Sequence, residues 1–488
     1  MDASLVETHV SIVFFVGDRA YKLKKPVHFD FVDQSTREAR EALCHREVAL
    51  NRRLAPDVYD GVATLLGPDG APQDHLVVMR RLPPTRRLSA LARADDPRAA
   101  PAVEETARIL ARFHRDAERG AAIDAGATAE AVAGLWDANF HQLIPFAGPV
   151  LDRADVERAR TLATTFVEGR TSLFDRRIGE GWVCDGHGDL LADDIYVLDD
   201  GPRIIDCLEF ADRLRFGDVA ADLAFLLMDL ERIGADGLVT TLLDTYERET
   251  GAQIPRPLLH LWIAYRAQVR MLVACLRADQ EGHDGPAADQ ARDLLALCLT
   301  HLEQARVRLV LVGGLPGTGK STLARGLADR TGWSVLRSDV VRKELAGLPA
   351  GSVARAGFGT GIYTSEHSAQ TYAELFGRAR ALLDRGESVV IDASFGSQVD
   401  RQGARRLAAA AGAELVELRC SAAAGVADQR IRARLAAGLD ESDADPDVAS
   451  RLAGLAEPWP ESVTISTEGS VAEAVEQAQA ETSRLLPR

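Results

Sequence analysis

The chain has 488 residues, room for two or three domains that each bury a core of their own. Hydrophobic residues make up 46% and charged residues 27%, a globular balance that excludes a disordered chain, and no uncharged apolar run approaches the roughly 18 residues a membrane-spanning helix needs. Fifty-seven basic side chains against 73 acidic ones leave a net charge of −16, which repels polyanions at long range and disfavours bulk binding to nucleic acid or anionic membrane.

The start of the chain lacks the basic n-region of a secretory signal, and the six cysteines show no C-x-x-C pair, so a cytoplasmic protein with reduced thiols is expected. Two β-type runs come first, 10–16 and 20–24, then a helix over about 35–54, a further apolar run at 75–79 and long helices beyond. This is an α+β opening followed by a mostly helical lobe. Only five basic residues are lysine, namely Lys22, Lys24, Lys25, Lys320 and Lys343. A compact ammonium kept in so arginine-rich a chain points to tight sites where the two cations are not interchangeable.

Lys22 and Lys24 lie two apart on one strand, so both point the same way and parity cannot choose between them. On the following helix Leu43, Glu47, Leu50 and Leu54 share one stripe, which buries the Glu47 carboxylate and demands a cationic partner for it. Further on, His187-Gly188-Asp189 is followed by Asp194 and, after a short apolar run, by Asp206. A catalytic-loop acid, a metal ligand five positions on and a second ligand after a short strand is the layout of eukaryotic-like kinases. In that layout Asp189 orients or deprotonates an acceptor hydroxyl, Asp194 and Asp206 hold Mg²⁺, and a strand lysine positioned by Glu47 meets the nucleotide phosphates: Lys22 is preferred over Lys24, since Ala20-Tyr21-Lys22 resembles the A-x-K of that strand.

These residues resemble the aminoglycoside phosphotransferase and choline kinase superfamily over about residues 1–300. Leu110-Ala111-Arg112-Phe113-His114 and Gly217-Asp218 with Asp222 add to the resemblance. Three departures stand against it: no G-x-G-x-x-G loop precedes Lys22, Asp194 replaces the usual Asn, and Leu191 stands where many relatives carry His. A carboxylate still suits Mg²⁺, yet the same departures leave room for a silent binding module. The resemblance implies a bilobal kinase fold and transfer to a hydroxyl, not a particular substrate.

Residues 257–306 are almost continuously helical in pattern and run into the next strand without a linker, which places a boundary near 303 and gives domains 1–303 and 304–488. Beyond it, β-branched runs at 308–312, 333–337, 388–391, 414–419 and 462–466 alternate with helical stretches, as in a parallel sheet covered on both faces. The expected fold class is therefore multidomain, α+β followed by α/β.

Gly314-Leu315-Pro316-Gly317-Thr318-Gly319-Lys320-Ser321, continued by Thr322, fits G-x-x-x-x-G-K-[ST] between a strand and a helix. Backbone N–H groups and the helix N-terminus would cradle phosphates, Lys320 would reach the β and γ phosphates, and Ser321 would ligate Mg²⁺. Asp392 and Asp339 follow strand ends, the edge where open α/β sheets build sites. Asp392 suits the metal, while Asp339 and Arg342 put a proton acceptor and a guanidinium one helical turn apart. A helix N-cap is the plain alternative for Asp339.

This half resembles the small P-loop kinases of the gluconate kinase, polynucleotide kinase and zeta-toxin type over about residues 306–488. An arginine-bearing lid is implied, for which Arg430 and Arg434, ahead of the acidic run 440–447, stand in the corresponding place.

The whole chain resembles bacterial two-domain proteins that fuse an aminoglycoside phosphotransferase-like domain to an ATP-binding kinase. ATP and Mg²⁺ are the implied cofactors and a small-molecule hydroxyl the implied acceptor, with no membrane partner. Two other readings stay open: a 5′-hydroxyl nucleic-acid kinase in the P-loop half, opposed mildly by the acidity, and a P-loop nucleotide switch beside a silent N-terminal module. The oligomeric state is not readable.

Overall fold

In the computed structural model the described residues are 3–7, 10–29, 32–349, 364–437 and 446–483. They form two compact units, Met1–Ala163 with Phe174–Ala305, and Thr164–Leu173 with Arg306–Arg488.

The first unit opens on a five-stranded antiparallel sheet of order β1-β2-β3-β5-β4. Its strands are β1 (Ala3–Glu7), β2 (Ser11–Val16), β3 (Arg19–Lys24), β4 (Tyr59–Leu66) and β5 (Pro72–Arg80). Between β3 and β4 lies α1 (Arg37–Asn51), started by Thr36, whose hydroxyl accepts the Ala39 N–H at 3.1 Å. Its buried face differs from the apolar stripe expected: Arg40, Cys44, Glu47, Val48 and Asn51 are buried, while Leu43, Leu50 and Leu54 are only partly covered. Polar residues go inside because each finds a partner there, Arg40 on Asp74 and Asn51 on the backbone of Cys207.

A helical lobe follows, with α2 (Ala99–Asp116), the short strands β6 (Val183–Asp185), β7 (Ile195–Leu198), β8 (Gly201–Ile204) and β9 (Phe216–Asp218), then α3 (Val219–Arg232), α4 (Arg256–Glu281) and α5 (Pro286–Gln304). β7 and β8 form one antiparallel ribbon and β6 and β9 another. The stretch expected as continuous helix over 257–306 is broken between α4 and α5, where Gly282 adopts φ +102°.

The second unit is a parallel sheet of order β11-β12-β10-β13-β14. Its elements in chain order are β10 (Arg308–Gly313), α6 (Lys320–Thr331), β11 (Ser334–Arg337), α7 (Ser338–Leu345), α8 (Ser365–Leu383), β12 (Val389–Asp392), α9 (Gln398–Ala410), β13 (Glu414–Ser421), α10 (Ala424–Ala437), β14 (Val463–Ser466) and α11 (Val471–Ser483). The five strands coincide with the five runs expected. Val310, Val312, Leu323, Leu327, Val390, Leu418 and Ile465 share one core, and the central strands β10 and β12 are buried on both faces. Register sets Val312 beside Asp392 and Asp392 beside Arg337 at the carboxyl ends of the strands. Most of the acidic run 440–447 lies outside the described residues. Among the described residues no helix is long and apolar enough to cross a membrane.

Two candidate phosphoryl-transfer sites

In the first unit the strand β3 carries both lysines onto the buried end of Glu47. Lys22 Nζ lies 2.9 Å from Glu47 Oε1 and donates to Asp206 Oδ1 at 2.8 Å, while Lys24 Nζ donates to Glu47 Oε2 at 2.7 Å and to Glu209. The two lysines thus share one glutamate but differ in exposure. Side-chain exposure falls from 47% at Asp206 to 13% at Lys22, 2% at Lys24 and 0% at Glu47, so Lys22 stands at the mouth of the network and Lys24 behind it. Burial opposes charge on Lys22, yet Asp206 and Glu47 hold its pKa well above the ordinary lysine value. Lys22 in turn holds the Asp206 carboxyl below the usual range.

Asp206 takes φ +64°, and its N–H donates to the Tyr59 hydroxyl at 3.2 Å. His187, fully buried, ties the loop 187–189 to this point through Nε2 and the Ile205 carbonyl, 3.1 Å apart. Because a carbonyl only accepts, the ring must carry its proton on Nε2. The loop is fixed from below by Asp222, whose oxygens accept the N–H groups of His187 (2.7 Å) and Gly188 (2.8 Å) and lie 3.1 Å from His114 Nε2. Burial would push the Asp222 carboxyl up, but His114 and those amides hold it well below the usual range. Gly188 sits at φ +87°, where a Cβ would come within 3.0 Å of the Arg215 side chain.

Asp189 emerges from that loop. Burial raises its pKa to about 6, against the pull of Arg270. Burial and the nearby Asp206, Asp189 and Asp193 push Asp194 well above the carboxylate range. Crowded carboxylates of this kind are hard oxygen donors, a donor type that suits Mg²⁺. Among the described residues no three His, Cys, Asp or Glu side chains are gathered closely enough to hold a metal ion.

The second unit builds its site from backbone. Residues 314–319 turn between β10 and α6, with φ of +134°, +80° and +86° at Gly314, Gly317 and Gly319. A Cβ on Gly317 would lie 2.5 Å from the Ala427 carbonyl on α10, and one on Gly314 would lie 2.7 Å from the Cys420 carbonyl. Leu315 and Pro316 carry the loop outward, and the Leu315 carbonyl accepts from Lys320 Nζ (3.0 Å) and the Thr318 hydroxyl (2.7 Å). Lys320, Ser321 and Thr322 form the first turn of α6, whose leading N–H groups have no partner within the helix.

Asp392 ends β12, 5% exposed, and meets Arg337 at 3.3 Å; the same guanidinium donates to Ser321 Oγ at 3.3 Å. A cation therefore already stands between the two residues expected to hold Mg²⁺, so the donor set fits a cation. Asp339 lies in the first turn of α7 and accepts from Arg342 at 3.0 Å. The helix cap falls instead on Arg337. Arg430 donates to the Thr467 carbonyl (2.6 Å) and hydroxyl (3.2 Å), and that hydroxyl donates to the Thr318 carbonyl (2.8 Å), which ties α10 to the phosphate loop. Arg434 lies one turn further along α10, half-buried.

The chain is 42% identical over 472 residues to the uncharacterized protein Rv2004c of Mycobacterium tuberculosis, a match covering 97% of this chain and 94% of that relative. It belongs to the same family. Residues 309–458 match the family model described as AAA domain. A gluconokinase from Sinorhizobium meliloti is similar at 20% identity over 36% of this chain and 92% of its own, TM-score 0.28. A choline/ethanolamine kinase family protein from Mesorhizobium loti is similar at 14% identity over 62% of this chain and 88% of its own, TM-score 0.36.

Four residues of these sites carry no motif of their own: Glu209 behind Lys24, Arg337 between Ser321 and Asp392, Thr467 under Arg430, and Arg270 near Asp189. Arg337 had a readable signal, as the last residue of a strand beside the phosphate-loop strand's neighbour. The other three depend on contacts distant in sequence.

Proposed function

We propose that the chain is an ATP- and Mg²⁺-dependent phosphotransferase with two kinase-type sites, one in each of the domains 1–303 and 304–488, each passing the γ-phosphate to a hydroxyl of a small molecule. The observation that carries this reading is the graded network from open Asp206 through Lys22 to sealed Glu47, beside a carboxylate poised as a base. Lys22 binds and orients phosphate oxygens, and Glu47 keeps its ammonium charged and aimed. Asp189, with its pKa raised to about 6, is ionised at neutral pH yet basic enough to take the proton of an acceptor hydroxyl. In the second unit the loop N–H groups, Lys320 and Arg430 grip the phosphates, Asp339 accepts the hydroxyl proton and Arg342 faces the transferring charge. Bound Mg²⁺, held through Asp194 and Asp206 in one site and Ser321 and Asp392 in the other, supplies charge neutralisation at the phosphate oxygens.

The Asp339–Arg342 pairing at 3.0 Å favours a second reading for the P-loop unit, transfer to a nucleic-acid 5′-hydroxyl. Transfer of ³²P from ATP into sugars, amino sugars, aminoglycosides and 5′-hydroxyl oligonucleotides, run on wild type, Asp189→Asn and Lys320→Ala, tests all of this. Each variant should remove a different labelled product. Loss of every product in Lys320→Ala alone makes the first unit a silent module, and a labelled oligonucleotide lost only in Lys320→Ala moves the P-loop unit to the second reading.

A further inference from the structure

The helix α4 packs against the loop that carries Asp189. Arg266 fixes this helix to the catalytic loop, donating from Nη1 to the Gly188 carbonyl at 3.3 Å and from Nε to the Ala221 carbonyl at 2.9 Å. Arg270, four residues on, lies on the same face one turn along. Of the four arginines of α4, Arg256 pairs with Glu247 at 2.9 Å and Arg277 donates to Gln290 at 2.6 Å. Arg270 is half-buried and, among the described residues, has neither a hydrogen bond nor an ion pair. Its charge is nonetheless felt at Asp189, where it works against the rise that burial causes.

A guanidinium presents five donors in a rigid fork that matches carboxylate and phosphate oxygens. One helical turn from the Arg266 contact to the loop that carries Asp189, and without a partner of its own among the described residues, this fork is left for a ligand. We infer that Arg270 receives an oxyanion on the acceptor, so that the first unit acts on a small hydroxyl compound bearing a carboxylate or a phosphate rather than on a cationic amine. A cationic acceptor would meet Arg270 directly, with Asp206 already engaged by Lys22. This rests on the first unit being a phosphotransferase.

The test uses the full-length Lys320→Ala chain, which silences the P-loop unit, and a matched series: glucose, glucosamine, glucuronate and glucose 6-phosphate. Binding is measured by calorimetry with the magnesium complex of a non-hydrolysable ATP analogue present, and transfer by ³²P. At least one anion should bind about tenfold or more tighter than glucose, the worth of one charge-assisted hydrogen bond, and glucosamine should bind no better than glucose. Which anion wins separates carboxylate from phosphate. Arg270→Gln should collapse the preference to within about twofold while leaving nucleotide affinity unchanged, and Arg270→Lys should restore part of it. Equal or tighter binding of glucose or glucosamine, binding of neither anion, or a preference that survives Arg270→Gln overturns the inference. Anion binding that depends on Arg270 without any Asp189-dependent transfer would keep Arg270 as an oxyanion site and remove the phosphotransferase reading, and the acceptor with it.

Discussion

On the proposed reading the two sites grip phosphate by opposite means. In the P-loop unit the grip is one continuous turn of backbone, residues 314–319, to which Lys320, Ser321 and Arg430 add side chains. In the first unit the grip is assembled from side chains on β3, α1 and the loop after β8, held together by ion pairs that close only when those elements fold against one another. A backbone cradle tolerates most side-chain changes but no added Cβ at its glycines, whereas a side-chain network tolerates backbone change but fails at a single charge.

The comparison breaks first at the charges. Asp189→Asn should cut transfer by the first unit about 10²–10⁴-fold, the worth of a positioned base, and leave the P-loop product intact; Lys320→Ala should do the reverse. Equal loss of both products in either variant would show one shared active centre. Behind the mouth, Lys24→Met strands the buried Glu209 and half of Glu47's neutralisation, so urea unfolding should report a loss of about 3–5 kcal/mol. Lys22→Met, nearer the solvent, should cost less stability and raise the dissociation constant for nucleotide more. In the cradle, Gly317→Ala sets a Cβ at φ +80° and 2.5 Å from a carbonyl. It should weaken nucleotide binding to the P-loop unit by about tenfold or more, a difference a fluorescent ATP analogue reads with the first unit as internal control.

A milder probe separates the sites by pH. Asp189 works as a base only when ionised, and its pKa is raised to about 6. The kcat/KM of the first unit should therefore be flat from pH 8 to 7 and fall about tenfold per unit below about 6. A profile still flat at pH 5 would mean that Asp189 orients the hydroxyl without taking its proton.

Legibility in the sequence follows the same division. β10 and β12, buried on both faces, read as unbroken apolar runs, and the β-branched runs of the other three strands, with the loop between β10 and α6, were likewise visible as local patterns. In the first unit the helix α1 was visible but not its buried face, because Arg40, Glu47 and Asn51 go inside for partners that lie on other elements. The strands β6 to β9, three or four residues each, are too short to leave a period. Alternation placed Lys22 and Lys24 on one face; only depth of burial distinguishes their stations. Asp222 stood in the sequence as a residue following a motif, and its part in holding the His187 and Gly188 amides needed the fold.

The finest distinction between the two grips lies at Arg337. Strand register places it beside Asp392, and its guanidinium reaches Asp392 and Ser321, each at 3.3 Å. A divalent cation drawing on both oxygens must compete with that guanidinium for them, whereas in the first unit Asp194 faces other carboxylates. Arg337→Ala would leave the buried Asp392 without this counter-charge, so the affinity of the P-loop unit for Mn²⁺, followed by paramagnetic resonance without nucleotide, should rise severalfold. Tightening there and no change at the first site would fix Arg337 as the competitor. Weaker binding would instead make it the brace that keeps Ser321 and Asp392 facing one point, and the two sites would then share a design in which a basic side chain sets the metal ligands, as Lys22 does for Asp206.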